Sequence, residues 1–267
     1  MELRPLGNTG LNVSVLGLGT VKFGRNTGVN YPQGFTLPDD RAVLGLLELC
    51  RELGINLLDT APAYGTSEAR IGQLLTHRED WVLASKVGES YEHGVSRYDY
   101  SAASTRASVE RSLKRLRTDW LDMVLIHSDG NDEHILRDED VLEELLNLKQ
   151  AGLIRAVGMS TKTVRGGLLA VEQCDVVMAT WHLGYHDELP VLEAAAAKNK
   201  GVLIKKALAS GHLATDKAGK DSLTPAIAAV LDQPGVSSII VGTINPQHLR
   251  HNAAVFNTVL EGSAQTS

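Results

Sequence analysis

The sequence predicts a (β/α)8 barrel of the TIM type, and three observations carry that expectation. Short apolar runs alternate with segments of helical periodicity along the chain. The runs are continuous rather than alternating, as in parallel strands covered on both faces. Successive runs end on polar residues of different kinds: Ile55–Asp59 on an acid, Trp81–Lys86 on a base, Leu121–His127 on an imidazole and Ile154–Ser160 on a hydroxyl. The carboxyl ends of barrel strands form the catalytic rim, so these side chains are expected at one rim.

The elements follow in order. Glu2–Asn12 holds two short extended pieces around Gly7-Asn8-Thr9-Gly10, expected as a tight β-hairpin plugging the far end of the barrel. The first strand lies in Leu11–Thr20, followed by a long non-helical stretch. A helix over Asp39–Leu53 has Pro38 and two acids at its start and Gly54 at its end. Strand Ile55–Asp59 leads to helix Ser67–Thr76, and strand Trp81–Val87 to helix Ala102–Arg117, capped by Ser101. Strand Leu121–His127 precedes helix Glu139–Gln150, which Gly152 ends; strand Ile154–Ser160 precedes helix Thr163–Glu172. Three units remain: Val176–Trp181 with Glu188–Asn199, Gly201–Lys206 with Leu223–Asp232, and Ser237–Thr243 with Pro246–Leu260. No Pro/Gly/Ser-rich linker interrupts them, so residues 1–267 are expected as one domain.

The competing fold is a doubly wound sheet with a dinucleotide fingerprint. Gly17-Leu18-Gly19 resembles its start, but Lys22 stands where the third glycine belongs, and no GxxxxGK[ST] loop occurs.

The composition, 43% hydrophobic and 22% charged over 267 residues, is that of a soluble globular protein with a sizeable core. A net charge of −6 argues against a nucleic-acid binder and gives no help toward anionic membranes. No apolar run reaches the ~18–20 residues of a membrane helix. Met1-Glu2-Leu3-Arg4-Pro5 lacks a signal-peptide pattern, and Cys50 and Cys174 read as reduced apolar packers, so a cytoplasmic protein is expected. His182 and His186 are four apart but straddle a strand end and lack an HExxH pattern, so no metal site is expected.

Asp59, Tyr64, Lys86 and His127 suit one reaction. A tyrosine hydroxyl is a sluggish acid, and a neighbouring ammonium favours its phenolate, lowering its pKa. Asp59 would hold Lys86 charged, while His127 would orient a substrate oxygen toward Tyr64. Such a set suits protonation of a carbonyl oxygen, and it needs a reduced cofactor as hydride source. Singly, Asp59 and Lys86 could be a structural ion pair, Tyr64 a loop packer and His127 a core histidine. Glu89–Tyr100, with Tyr91, Tyr98 and Tyr100, leaves two readings open, a substrate-pocket wall and aromatic loop packing.

These residues sit in motifs that resemble the aldo-keto reductases nearly end to end. Arg4-Pro5-Leu6-Gly7-Asn8-Thr9-Gly10-Leu11-Asn12-Val13-Ser14 is similar to the family's opening hairpin, followed by Leu16-Gly17-Leu18-Gly19-Thr20. Leu58-Asp59-Thr60-Ala61-Pro62-Ala63-Tyr64-Gly65 is similar to its aspartate–tyrosine motif, and Ser85-Lys86-Val87 to its lysine strand. Ser112-Leu113-Lys114-Arg115-Leu116 and Thr118-Asp119-Trp120-Leu121-Asp122 lead to the histidine strand; Lys149-Gln150-Ala151-Gly152-Leu153-Ile154 opens the fifth unit. The resemblance implies carbonyl reduction of a small molecule with NADPH, NADH being possible, and a catalytic tetrad of Asp59, Tyr64, Lys86 and His127. It also implies an alternative, a weak or inactive nucleotide-binding regulatory subunit of the same fold.

Toward the cofactor the resemblance implies contacts from Gly19, Thr20 and Asp59 at the first strands. Ser160 and Thr161 stand where Ser-Asn is common, Met178 where glutamine is usual, and Lys205 where an aromatic often stacks on the nicotinamide. Lys206, Ala207 and Leu208 continue that last motif to Gly211. Gly242, Thr243 and Asn252 fit the adenosine-phosphate region, with His248 at the place of the basic residue for a 2′-phosphate.

Overall fold

The first apolar run is broken in two. In the computed structural model, which describes residues 1–29, 34–208 and 222–264, β1 (Leu3–Pro5) pairs antiparallel with β2 (Asn12–Ser14), and β3 (Leu16–Gly19) starts the barrel. The hairpin loop is held by Leu6 N–H donating to Leu11 O and Thr9 Oγ1 to Leu6 O, at 2.8 and 2.7 Å. Gly7 takes φ 54°, and a Cβ there would come 2.4 Å from Gly201 N. Leu6 and Val13 join the cluster inside the barrel, with Leu57, Met123, Val176 and Leu203. Ser237 Oγ donates to Pro5 O, so the hairpin closes the amino ends of the strands, as expected.

The remaining elements follow the predicted alternation. They are α1 (Val21–Gly24), α2 (Asp40–Glu52), β4 (Leu57–Asp59), α3 (Ser67–Leu74), β5 (Val82–Val87), β6 (Glu89–Glu92), β7 (Val95–Tyr98) and α4 (Ala102–Leu116). Then come β8 (Leu121–His127), α5 (Asp132–Asp138), α6 (Val141–Gln150), β9 (Ile154–Ser160), α7 (Val164–Gln173) and β10 (Val176–Thr180). The chain continues with α8 (Leu189–Ala197), β11 (Gly201–Lys205), α9 (Leu223–Leu231), β12 (Val236–Val241) and α10 (Pro246–Ala264). Strands β3, β4, β5, β8, β9, β10, β11 and β12 pair in that order, all parallel, and β12 closes on β3.

Local chemistry sets the boundaries. Asp39 caps α2 by accepting from Ala42 N–H, Ser101 caps α4, and Thr163 caps α7 through Gly166 N–H. Gly54 and Gly152, at φ 72° and 80°, follow the ends of α2 and α6. Departures that were not expected include the turn of helix α1 just after β3, a 3-10 turn at Arg78–Asp80, the extra helix α5, and the hairpin β6–β7. The hairpin turns at His93-Gly94, both left-handed at φ 52° and 83°, as a two-residue turn requires. A second apolar layer, including Phe23, Leu46, Trp81, Val109, Leu145 and Phe256, fills the space between sheet and helices.

Candidate active site

The barrel delivers three of the four expected catalytic residues to one rim. Asp59 is the last residue of β4, Lys86 the penultimate residue of β5 and His127 the last of β8. Tyr64 lies on the turn after β4, where its N–H donates to Ala61 O and its carbonyl accepts from Ser67 N–H. That turn sits on α1 through glycines. A Cβ on Gly24 would come 2.3 Å from Tyr64 O, and one on Gly65, at φ 62°, 2.2 Å from Gly24 O.

Lys86 is buried, and its Nζ donates to Asp59 Oδ1 at 2.5 Å and to Thr60 O at 3.0 Å. The same Nζ stands 4.8 Å from the Tyr64 ring centroid, and the Tyr64 and His127 rings meet edge to face at 6.4 Å. Burial disfavours the ammonium, but Asp59 and Tyr64 outweigh it and hold Lys86 above the ordinary lysine range. For Tyr64 burial dominates: it raises the phenol's pKa, Lys86 pulls it down, and Asp59 and Glu89 push it up again. The expected lowering by Lys86 is therefore present but outweighed, so Tyr64 stays protonated through neutral pH. Burial also depresses His127, with Lys86 and Lys205 acting the same way and Glu89 opposing them.

Glu89 is the functional candidate that the sequence reading missed. It opens β6, and its Oε2 lies 2.7 Å from His127 Nδ1. Burial works against its ionisation, yet His127, Ser96 and Arg25 bring its carboxyl down to about 2. The available signal was the polar–apolar alternation around His93-Gly94, which marks a hairpin. Two tyrosines of this stretch pack on neighbours, while Tyr98, stacked on Tyr100, is exposed. Tyr91 lies under the Arg25 guanidinium at 3.4 Å, and buried Tyr100 donates to His127 O at 3.0 Å.

The expected cofactor residues divide into two groups. Ser160 ends β9, and Lys205 at the end of β11 reaches it: Nζ donates to Ser160 Oγ at 2.8 Å and to Thr161 O at 2.6 Å. Burial brings Lys205 down to about 8 against the pull of Glu188. Across the barrel, Gly19 packs near Gly242, buried Thr243 accepts from Asn245 N–H, and buried Asn252 lies on α10, whose exposed first turn carries His248. Thr20 is different: its N–H and Oγ1 both donate to Asp59 O, and Ser67 Oγ donates to it, so its hydroxyl is spent inside the fold. Met178 is buried in the barrel interior and offers no hydrogen-bond donor. Lys206 is exposed in a left-handed conformation, Ala207 is buried and Leu208 half-buried; residues 209–211 of that motif lie outside the described residues. His186 stacks on Trp181 at 4.9 Å, and His182 bridges to Tyr185.

A family model described as Aldo/keto reductase family matches residues 15–229, which include Asp59, Tyr64, Lys86 and His127. The chain belongs to the aldo/keto reductase family. A solved structure of a candidate aldo-keto reductase from Pseudomonas aeruginosa is 56% identical, with a TM-score of 0.87 over 97% of this chain and 95% of that one. L-galactose dehydrogenase of Arabidopsis thaliana is 33% identical over 228 residues, 80% of this chain and 67% of the relative. The NADH-specific methylglyoxal reductase of Escherichia coli is 26% identical, covering 100% of this chain and 97% of its own. As a member of the family, the protein is an NAD(P)H-dependent oxidoreductase.

The residues present fit a nicotinamide coenzyme with an altered donor set. A carboxamide oxygen needs donors; Met178 offers none, and the Lys205 ammonium stands beside Ser160 and Thr161. Lys205 uses two of its three N–H groups on Ser160 and Thr161, and Ser160, accepting from Lys205, keeps its own O–H to donate. The amino end of α10 supplies the positive dipole end that suits an anion.

Proposed function

We propose that the protein reduces an aldehyde or ketone to the alcohol, using NADPH ahead of NADH, with Tyr64 donating the proton. The observation that carries this reading is the buried Lys86–Asp59 pair at 2.5 Å with the Tyr64 ring 4.8 Å from the ammonium. The reduced coenzyme, when bound, supplies hydride to the carbonyl carbon.

The chain's own groups act on the oxygen. Tyr64 holds a proton through neutral pH and presents it to the carbonyl oxygen, where negative charge develops as the carbon is reduced. The Lys86 ammonium stabilises the phenolate left behind, and Asp59 keeps that ammonium charged and in place.

Preference for NADPH is supported by the imidazole and guanidinium side chains near the amino end of α10. His248 and His251 are exposed there, and Arg250 is engaged with Glu52 at 3.2 Å in a surface pair, a weak contact that a phosphate could replace. Among the described residues no helix is long and apolar enough to cross a membrane, and both cysteines are free and buried. A cytoplasmic setting agrees with these facts.

Stopped-flow mixing of the protein and NADPH with a generic aldehyde tests the reading. Oxidation of NADPH in step with alcohol formation supports it. Bound NADPH that no aldehyde or ketone oxidises would favour a regulatory subunit instead.

A further inference from the structure

The tetrad occupies one side of the barrel mouth, at or just after the ends of β4, β5 and β8. A cation faces it from the other side. Leu203 of β11 packs in the barrel interior, and Lys205, two residues on, shares that face of the strand. The strands lie in the order β9, β10, β11, with Lys205 beside Thr180. The Lys205 side chain therefore spans the end of β10 to reach Ser160 Oγ at 2.8 Å and Thr161 O at 2.6 Å. Both acceptors are neutral, so neither cancels the ammonium's charge. Besides burial, that charge is one of those that disfavour a proton on His127 across the mouth. A hydride donor must enter this space to bring its ring against a carbonyl held by Tyr64.

We propose that Lys205 is a coenzyme-binding residue that senses redox state: its ammonium tolerates the neutral reduced nicotinamide and repels the cationic oxidised ring, so the protein binds NADPH more tightly than NADP+. This rests on the proposed function, which brings a nicotinamide into the mouth.

Hydride loss turns a neutral dihydropyridine into a pyridinium with one positive charge, while the phosphates and adenosine are unchanged. Contacts to those parts are common to both forms and cancel in the ratio of their affinities. A hydrogen bond from the third Lys205 N–H to the carboxamide oxygen is likewise open to both, because that oxygen accepts in either form. Charge remains as the discriminator. Binding does not alter the overall equilibrium, but an oxidised product held weakly leaves sooner, which favours turnover toward the alcohol.

The surrounding groups give the pH dependence its sign. Burial brings Lys205 down to about 8; Glu188, just before α8, and Asp132 of α5 oppose this, while Lys206 and Lys86 add to it. Between pH 7 and pH 9 Lys86, above its ordinary 10.5 despite burial, stays charged, and His127, which burial holds below 6.5, stays neutral. Burial raises Glu188 above 4.5, and its ionisation acts in the same sense as loss of the Lys205 proton. Net positive charge on this side of the mouth therefore falls as pH rises.

Isothermal titration calorimetry of the coenzyme-free protein with NADPH and with NADP+ reads the ratio of their dissociation constants without turnover. At pH 7 the wild type should bind NADPH about 10-fold more tightly than NADP+, the scale of one unit charge acting in a partly desolvated site. Lys205→Met should bring the two affinities within about twofold, and Lys205→Arg, which keeps the charge, should retain the wild-type ratio. The wild-type ratio should fall about fivefold or more from pH 7 to pH 9, a change absent in Lys205→Met. A Lys205→Met protein that keeps the ratio overturns the proposal, as does one that weakens both forms equally, since that is loss of a donor alone. Equal wild-type affinities at pH 7, or a wild-type ratio that ignores pH, overturn it with no variant needed. If the wild type binds neither form, the proposed function fails and this inference with it; binding of both with an unmoved ratio removes the inference alone.

Discussion

Replacing Lys86 with methionine separates the two duties given to its ammonium. The first is structural. Asp59 would lose its partner at 2.5 Å with its side chain only 6% exposed, and stranding one half of a buried pair costs about 3–5 kcal/mol. For a chain of this size that lowers Tm by about 6–20 °C. The second duty is chemical. A unit charge 4.8 Å from the Tyr64 ring contributes about 3 kcal/mol at an effective dielectric constant of about 20, or about two orders of magnitude in rate. The Lys86→Met variant should therefore be both less stable and slower, with the basic limb of its pH–rate profile moved upward, because the remaining influences on Tyr64 are dominated by burial. Adding Asp59→Asn removes the stranded carboxylate, so the double variant should regain most of the stability and none of the rate. Because Lys86 sits above its ordinary value of 10.5, its stabilisation is complete below that pH and lost only as pH rises through the folded value. The stabilisation that Lys86 itself contributes should thus be flat across neutral pH. Urea unfolding and a pH–rate profile on the three proteins decide it. A basic limb that stays in place, or a double variant with wild-type turnover, would refute the reasoning.

Three further outcomes can be checked. Gly65→Ala puts a Cβ 2.2 Å from Gly24 O at a residue with φ 62°; it should cost at least 1–3 kcal/mol by denaturant unfolding and lower turnover by displacing Tyr64. The Glu89 carboxyl, at about 2 when folded against 4.5 ordinarily, stabilises above 4.5 and ceases to as pH falls toward 2, so urea-unfolding curves of Glu89→Gln and wild type should converge across that window. His248→Arg should strengthen NADPH binding without changing NADH binding, since a guanidinium fork pairs with a phosphate better than an imidazole does; fluorescence titration of both coenzymes reads this.

The barrel was legible because its strands are covered on both faces, so their apolar runs stand out and their last polar residues mark the rim. β8 and β9 begin and end where the runs do, at Leu121–His127 and Ile154–Ser160. Elements without an apolar signature were not legible. The hairpin β6–β7 is half-exposed and polar, and α1 is a single turn stabilised by tertiary contact with the Tyr64 loop. Asp59, Lys86 and His127 could be singled out because each ends or nearly ends its own strand, and Tyr64 because it follows Asp59 in the same loop. Glu89 could not, since its role depends on a hairpin folding back across the end of β8. Lys205 looked like a lost aromatic in sequence, and only the barrel's closure brings its ammonium onto Ser160. The sign of Tyr64's shift was misjudged for a related reason: burial is a property of the whole rim, whereas the lysine was visible locally.

The most direct test of the central claim is turnover by Tyr64→Phe, which removes a hydroxyl and leaves the ring that packs against Lys86 and His127. A general acid is worth about 10²–10⁴-fold. Single-turnover oxidation of NADPH by a carbonyl substrate should slow by that factor in the variant, while its NADPH affinity, measured by fluorescence titration, stays within about twofold of wild type. A variant that binds NADPH normally and keeps most of the wild-type rate would contradict the assignment of Tyr64 as the proton donor.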